Sequence, residues 1–222
     1  NSVLPKIKAW VKSDSSSKNL WIKCPSCDQM LFEKDFKETF YCCNTCEHHS
    51  FMPPIERFNL YYGIDNFDIL KTKPQIDDPL KFKDSKKYPD RLKAARLKTK
   101  NDDAILIAYG KIGNMKLISV ALNFQFMGGS MGRAVGDGII LAAEEAIKRN
   151  ASLLVIPSSG GARMQEGIFS LMQLPRTIIA IEKIKTAKLP YIVLLTNPTM
   201  GGVTASFSML GDIHIAEPNA LI

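Results

Sequence analysis

No stretch of this 222-residue chain approaches the roughly 18 consecutive apolar residues that a membrane-spanning helix needs. Nothing near its start resembles a secretory signal either, since Asn1 to Lys23 carries five Lys and only short apolar stretches. Familiar fingerprints are missing as well. The glycine-rich stretch Gly128-Gly129-Ser-Met-Gly132-Arg-Ala-Val-Gly136 accommodates neither the P-loop pattern nor the dinucleotide G-x-G-x-x-G spacing. No G-x-S-x-G elbow surrounds Ser158 or Ser159, so a serine hydrolase is unsupported. Histidine is scarce, at three residues, and His214 sits in an apolar strand beside Asp212, where a structural place suits it. At 45% hydrophobic and 23% charged residues, wholesale disorder is excluded, and the length excludes a disulfide-stapled mini-protein.

What is present begins with charge. The chain carries a net charge of +7, and residues 81–100 (KFKDSKKYPDRLKAARLKTK) hold nine Lys or Arg and two Asp, an excess equal to that of the whole chain. These lysines read either as a solvated face or as a site for anions: the phosphates of a nucleotide-bearing substrate, or RNA. The chain opens at Asn1 without an initiator Met and stops on Ala220-Leu221-Ile222, which reads as the start of another core element, so a fragment trimmed at both ends is expected.

The five cysteines are spaced to be read. Cys24-Pro-Ser-Cys27 and Cys43-Asn-Thr-Cys46 form C-x2-C-x15-C-x2-C, two knuckles that each aim two sulfurs at one point. The spacing predicts a closed, structural zinc site that holds residues 20–55 together. The odd cysteine count and the absent signal argue against disulfides. Cys42, beside Cys43, offers a C-x3-C spacing as a substitute third ligand, and His48 and His49 read as solvated bystanders.

Residues 55–100 read as a polar helical connector, in which Pro89 followed by Asp90-Arg-Leu-Lys-Ala-Ala-Arg suits a helix start. From Asp103 the texture becomes α/β. Ala104–Lys111 and Met115–Phe126 read as two strands joined at Gly113-Asn114, and a helix follows through Ile139 to Arg149. A repeat is then visible. Leu153–Pro157 runs into Ser158-Ser-Gly160-Gly161-Ala162-Arg163 and a helix to about Lys185, and 41 positions later Tyr191–Leu195 runs into Gly201-Gly202, a helix over Val203–Leu210 and a strand, Ile213–Ala216. Strand, Gly-Gly, helix, strand describes right-handed parallel crossovers. A Gly-Gly pair at such a junction has no Cβ to block a ligand and can present free amides to an oxyanion. Glu166 and Glu217 are candidate carboxylates without an evident partner, so the core offers backbone donors but no obvious acid or base; a reaction that brings its own base fits.

These residues carry a resemblance. The two cysteine pairs, Phe126-Met-Gly-Gly-Ser-Met-Gly132, Ser159-Gly-Gly-Ala-Arg-Met-Gln-Glu166, Asn197-Pro-Thr-Met-Gly-Gly-Val-Thr-Ala-Ser206 and Met209-Leu-Gly-Asp-Ile-His-Ile-Ala-Glu-Pro218 closely resemble the family of bacterial acetyl-coenzyme A carboxylase carboxyltransferase β subunits, in order, from about Leu20 to the last residue. The resemblance implies an α/β, crotonase-like (ClpP/crotonase) core of repeated ββα units with an N-terminal four-cysteine zinc ribbon. The implied division is a ribbon with a basic flank over 1–56, a connector over 57–100 and a partial carboxyltransferase core over 101–222. It implies transfer of a carboxyl group from carboxybiotin on a carrier protein to acetyl-CoA, giving malonyl-CoA in the cytoplasm for fatty acid synthesis. Gly201 and Gly202 match the family's oxyanion hole; Gly160, Gly161, Ala162 and Arg163, with Gly128 and Gly129, match its substrate-lining loops, Arg163 either orienting its loop or facing phosphate. The implied partners are a homologous α subunit in an α2β2 heterotetramer, the biotin carboxyl carrier protein and biotin carboxylase. Family members continue past Ile222, and Arg133 and Pro157 depart from the family pattern.

Two other readings compete. A four-cysteine ribbon with a basic run is a common nucleic-acid-binding combination, and Trp21, Phe32, Phe36, Phe40 and Tyr41 are available to stack on bases or to form a mini-core. RNA binding is expected at most as a secondary activity. A hydratase or other crotonase-fold acyl-CoA enzyme needs a carboxylate, Glu166 or Glu217, beside Gly202.

Overall fold

The computed structural model describes residues 20–222, in two compact units that divide between Ser50 and Phe51. The basic flank at residues 1–19 lies outside the described residues.

The first unit is the ribbon. Strand β1 (Trp21–Lys23) pairs antiparallel with β2 (Met30–Phe32), with Trp21 opposite Phe32, and helix α1 (Glu33–Glu38) follows at once. So small a segment has little to bury: its core is Cys24, Leu31, Phe36 and Cys43, flanked by Ile22 and Tyr41. Phe36 and Tyr41 meet edge to face at 5.4 Å. Those two rings are therefore mini-core, whereas Trp21 and Phe40 remain more than half exposed.

In the second unit, helix α2 (Pro54–Tyr62) starts with proline in its first turn, where no amide hydrogen is needed, and ends at Gly63. Phe58 and Tyr62, four residues apart on one face, are buried against the sheet. Gly110 makes room: a Cβ there would stand 2.5 Å from the Tyr62 ring. The Tyr62 hydroxyl bonds Ser119 Oγ at 2.7 Å, and burial pushes its pKa up to about 12. Residues 57–100, expected to be a helical connector, hold the rest of α2 and helix α3 (Tyr88–Thr99), separated by strand β3 (Phe67–Ile69) and an irregular run.

Strands β4 (Ile105–Ile112) and β5 (Met115–Leu122) form a hairpin in which Ile112 faces Met115 across Gly113-Asn114. Gly113 has φ +58° while Asn114 stays at negative φ, so glycine comes first in the turn, as a type II′ turn requires. Helix α4 (Arg133–Arg149) buries Val135, Ile139, Ala142, Ala143 and Ala146, a helical stripe, and stops at Asn150 in the left-handed conformation. Strand β6 (Ser152–Ile156), the short helix α5 (Ile168–Leu171), α6 (Gln173–Thr186), β7 (Tyr191–Leu195), the single turn α7 (Gly201–Thr204) and β8 (Ile213–Ala216) complete the order.

The sheet runs β3-β4-β5-β6-β7-β8, antiparallel over β3–β5 and parallel over β5–β8. β5 and β6 bury both faces, and their residues read accordingly as near-continuous apolar runs. One face carries the main core, with Ile118, Val120, Leu153, Val155 and Val193 packed with α4 and α6. Two expected helices are shorter than their spacing implies. The one after Arg163 is broken into a 3-10 turn (Met164–Glu166), α5 and α6, because Gly167 at φ +50° interrupts it. The one over Val203–Leu210 is α7 and a separate 3-10 turn at Phe207–Met209, since Ser206, at φ −127° and ψ −117°, leaves helical geometry and donates its hydroxyl to the Gly202 carbonyl at 2.6 Å. No helix among the described residues is long and apolar enough to cross a membrane.

Candidate functional site

In the ribbon, Cys24, Cys27, Cys43 and Cys46 bring their sulfurs within 4.8 Å of one another, with Cys24–Cys46 and Cys27–Cys43 at 3.7 Å. Zn–S bonds of about 2.3 Å in a tetrahedron put sulfurs roughly 3.8 Å apart, so the four thiols fit zinc as they stand. The backbone N–H of Cys46, and after it that of Thr45, hold the Cys43 thiol down to about 6. Cys42 is not part of the cluster; its sulfur faces His49 Nδ1 at 3.5 Å. His49 is therefore a neighbour of the spare cysteine, a correction to its reading as a bystander in solvent. With four thiolates and no open position, this zinc is structural.

In the second unit, three loops leave the carboxyl ends of β5, β6 and β7 and lie against one another. The first, residues 127–132, donates from Met131 N to Gly161 O (2.8 Å) and accepts at Gly128 O from Gly160 N (2.9 Å) and at Met131 O from Arg163 N (2.9 Å). The second, residues 158–163, donates from Ser159 N to Pro198 O (2.8 Å) and accepts at Ser159 O from Met200 N (2.9 Å) on the third. Gly161, at φ +116°, is the point of closest approach, since a Cβ there would stand 3.4 Å from both Gly201 Cα and Gly202 N. Gly129 is pressed harder still, since a Cβ there would collide with Ser158 O. Gly160 and Gly201 are exposed, while Gly128, Ala162 and Gly202 are half-buried. Gly201 and Gly202 open α7, so their amides have no intrahelical acceptor, and no other acceptor is found among the described residues. Beside them lies an apolar depression of about 520 Å³ lined by Met200, Gly201, Thr204, Ala205, Met209 and Leu221, among others.

Arg163 does not face this surface. It is fully buried, pairs both nitrogens with Asp103 (2.6 and 2.9 Å), donates to Ser130 O (2.8 Å) and Ser130 Oγ (3.1 Å), and reaches the Tyr88 hydroxyl (3.1 Å). Burial alone would lower its pKa; Asp103, then Tyr88, reverse that and hold it above the ordinary guanidinium value. Its guanidinium is thus engaged within the loops and is not exposed at the surface.

Glu166 is far from partnerless. Its Oε1 accepts from Tyr88 OH at 2.7 Å and Arg163 Nη1 at 3.3 Å, and its Oε2 accepts from Arg133 N at 2.8 Å and Arg133 Nε at 3.3 Å. Arg133 thus supplies the second cation, and it also donates to the Ile76 carbonyl. Glu217 is likewise paired, with the buried Arg57 at 2.6 Å. With both carboxylates ion-paired, neither is the unengaged base that a hydratase needs. His214 fills a structural place, 3.0 Å from Ser208 O. Within the basic segment, Arg91 and Arg96 are committed to Asp84 and Asp77, while Lys93, Lys98 and Lys100 are exposed. Tyr88, Asp103 and Ser130 escaped sequence reasoning. The available signal was a tyrosine inside a run of lysines, whose ring proves wholly buried.

Residues 82–221 match the model of the carboxyl transferase domain, and residues 21–46 that of the acetyl-CoA carboxylase zinc finger domain. The chain is 49% identical over 222 residues to the acetyl-coenzyme A carboxylase carboxyl transferase subunit beta of Jannaschia sp. (strain CCS1), covering all of this chain and 70% of that protein. It is 50% identical to the subunit of that name from Granulibacter bethesdensis, covering 99% of this chain and 72% of the relative. Among solved structures, transcarboxylase 12S aligns at TM-score 0.60 and 24% identity over 76% of this chain and 30% of its own. The Pseudomonas malonate decarboxylase MdcD–MdcE hetero-dimer aligns at 0.57 and 19% identity over 76% of this chain and 63% of its own. Those two likenesses concern the fold.

Proposed function

The chain belongs to the carboxyl transferase family, among the β subunits of acetyl-CoA carboxylase, and from that premise we propose that its three stacked loops form the acetyl-CoA half of a carboxyltransferase site. The observation that carries the proposal is the pair of unengaged amides at Gly201 and Gly202, held against Gly161 by the loop ladder. In the reaction, a proton leaves C2 of acetyl-CoA, the thioester oxygen takes up the negative charge, and C2 forms a bond to the incoming carboxyl carbon. Carboxybiotin on its carrier supplies that carbon as its N–C bond breaks, and also the nitrogen that accepts the proton. The chain's own task is electrostatic: fixed N–H groups aimed at the developing oxyanion need no reorganisation, and one such donor is typically worth about 3 to 4 kcal/mol. Gly160, Gly161, Ala162, Gly128 and Gly129 shape the floor for the acyl group, and Arg163 holds that floor from below. No free carboxylate stands in the cluster to serve as base, in keeping with a base brought by the second substrate.

As a β subunit the chain works in a multi-subunit carboxylase. More specifically, the biotin-facing half of the site comes from a homologous α subunit, in an α2β2 assembly served by the biotin carboxyl carrier protein and biotin carboxylase. Supporting this is an exposed apolar stripe along α5 and α6, Ile168, Leu171, Met172 and Ile179, with helical spacing. The exposed lysines of α3 attract the phosphates of coenzyme A, and four thiolate ligands suit the reducing cytoplasm. The test is reverse transfer: the complex with the α subunit, given malonyl-CoA and biotin, should form acetyl-CoA and carboxybiotin. A complete complex without transfer would defeat this reading.

A further inference from the structure

Beneath the loops lies a buried cluster that the reaction as described does not use. Tyr88 is the first residue of α3, its ring wholly buried, and its hydroxyl sits between a carboxyl and a guanidinium group: it donates to Glu166 Oε1 at 2.7 Å and accepts from Arg163 Nη1 at 3.1 Å. Both of those groups hold the 127–132 loop, at different points. Glu166 receives the Arg133 amide at the start of α4, so it pins the end of the 127–132 loop. Arg163 grips Ser130 through its side chain and Met131 through its backbone N–H. The 158–163 loop is in turn stitched to the 197–202 loop at Ser159 and pressed on Gly201 at Gly161.

We infer that Tyr88 is a positioning residue for the transfer reaction, locking Glu166 and Arg163 so that the 127–132 and 158–163 loops keep one spacing and the Gly201–Gly202 amides keep one place. The inference rests on the proposed reading of those amides. It gives the basic connector a task besides attracting anions: α3 anchors the site from beneath through its first residue. Asp103, the other connector-side group on Arg163, contributes charge but does not touch Glu166; Arg163 Nη1 reaches Glu166 Oε1 directly at 3.3 Å, and the hydroxyl, at 2.7 and 3.1 Å, is the closer bridge between the two arms.

Tyr88→Phe removes the hydroxyl and leaves the buried ring. In the carboxyltransferase assembled from the full chain and its α subunit, kcat for reverse transfer should fall roughly 10- to 100-fold, the scale of a displacement of up to about 1 Å at reacting groups, with KM for malonyl-CoA within about two-fold of wild type. Amide exchange, read on the same variant, should quicken over residues 128–131 and 160–163 and not over β7. Combined with Glu166→Gln, Tyr88→Phe should add little further loss, because both cut one link. Should Glu166→Gln not fold, the Tyr88→Phe measurements decide alone. Full kcat in Tyr88→Phe, a change confined to KM, or unchanged loop exchange would each overturn the inference. A wild-type complex without transfer would instead defeat the proposed function, while the exchange measurement would still decide whether Tyr88 locks the loops.

Discussion

The carboxylate of Glu166 occupies the space that a side chain on residue 132 would need: a Cβ on Gly132 would collide with Oε1 and lie 2.8 Å from the carboxyl carbon. Because Arg133, Arg163 and Tyr88 all bond that carboxylate, it cannot swing aside. Gly132→Ala should therefore destabilise the chain by about 1 to 3 kcal/mol, the usual cost of overpacking. Gly160→Ala is the control, its nearest neighbour lying 3.7 Å from the added carbon. Urea denaturation compares the two, and equal midpoints would refute the account of Gly132.

The ribbon makes a separate prediction. Its core comprises two cysteines and two apolar side chains, too little to fold without metal, and binding of structural zinc contributes an apparent stabilisation on the order of 10 kcal/mol. Cys24→Ser should lose the zinc, while Cys42→Ser, whose sulfur lies outside the four-thiol cluster and beside His49, should keep it. Metal analysis after gel filtration reads both; zinc lost from Cys42→Ser would place Cys42 among the ligands.

Much of this was legible in the sequence because it is written in local spacing. Each cysteine knuckle, each apolar strand from Ile105 onward and each Gly-Gly after β6 and β7 is written within a few consecutive residues. What escaped is long-range. Glu166 looks solitary in sequence, yet its partners Tyr88 and Arg133 are 78 and 33 positions away, and Arg163 reaches 60 positions to Asp103. Helix periodicity also overreached: the residues after Arg163 and after Gly202 have suitable spacing, but Gly167 and Ser206 adopt backbone angles that no helix tolerates. Phe67–Ile69 reads as helix in isolation and becomes strand because the free edge of β4 accepts it.

The connector carries a pH prediction. Arg96 bonds Asp77 with both terminal nitrogens, at 2.7 and 2.8 Å, and holds its carboxyl below the ordinary carboxylate value. A carboxylate depressed in the folded state stabilises above its unfolded pKa of about 3.9, and that contribution is lost as pH falls through the folded value. Asp77→Asn should thus lower Tm at pH 7 and leave a difference that shrinks towards zero below roughly pH 4. Melting curves across pH 3 to 7 measure it. A constant difference would mean that Asp77 acts through packing and not through its charge. The pair is partly exposed, so added salt should also reduce the effect at pH 7.

The amides at Gly201 and Gly202 carry the final prediction, which separates chemistry from folding. The nearest atoms to a Cβ on Gly202 are Leu174 Cδ1 at 3.3 Å and Ala162 Cβ at 3.5 Å, both side-chain atoms, the first at the end of a flexible chain. A small side chain there is tolerable to the fold but crowds the surface beside the free amide. Gly202→Val should lower reverse transfer by roughly 100-fold or more, as loss of an oxyanion donor does. Gly161→Ala acts otherwise: at φ +116° an L-residue costs about 1 to 3 kcal/mol, and its methyl group would bear on the backbone of Gly201 and Gly202. That variant should lose stability and activity together. Steady-state rates paired with melting temperatures distinguish the two patterns, and a Gly202→Val complex that keeps its full rate would remove the oxyanion role from these amides.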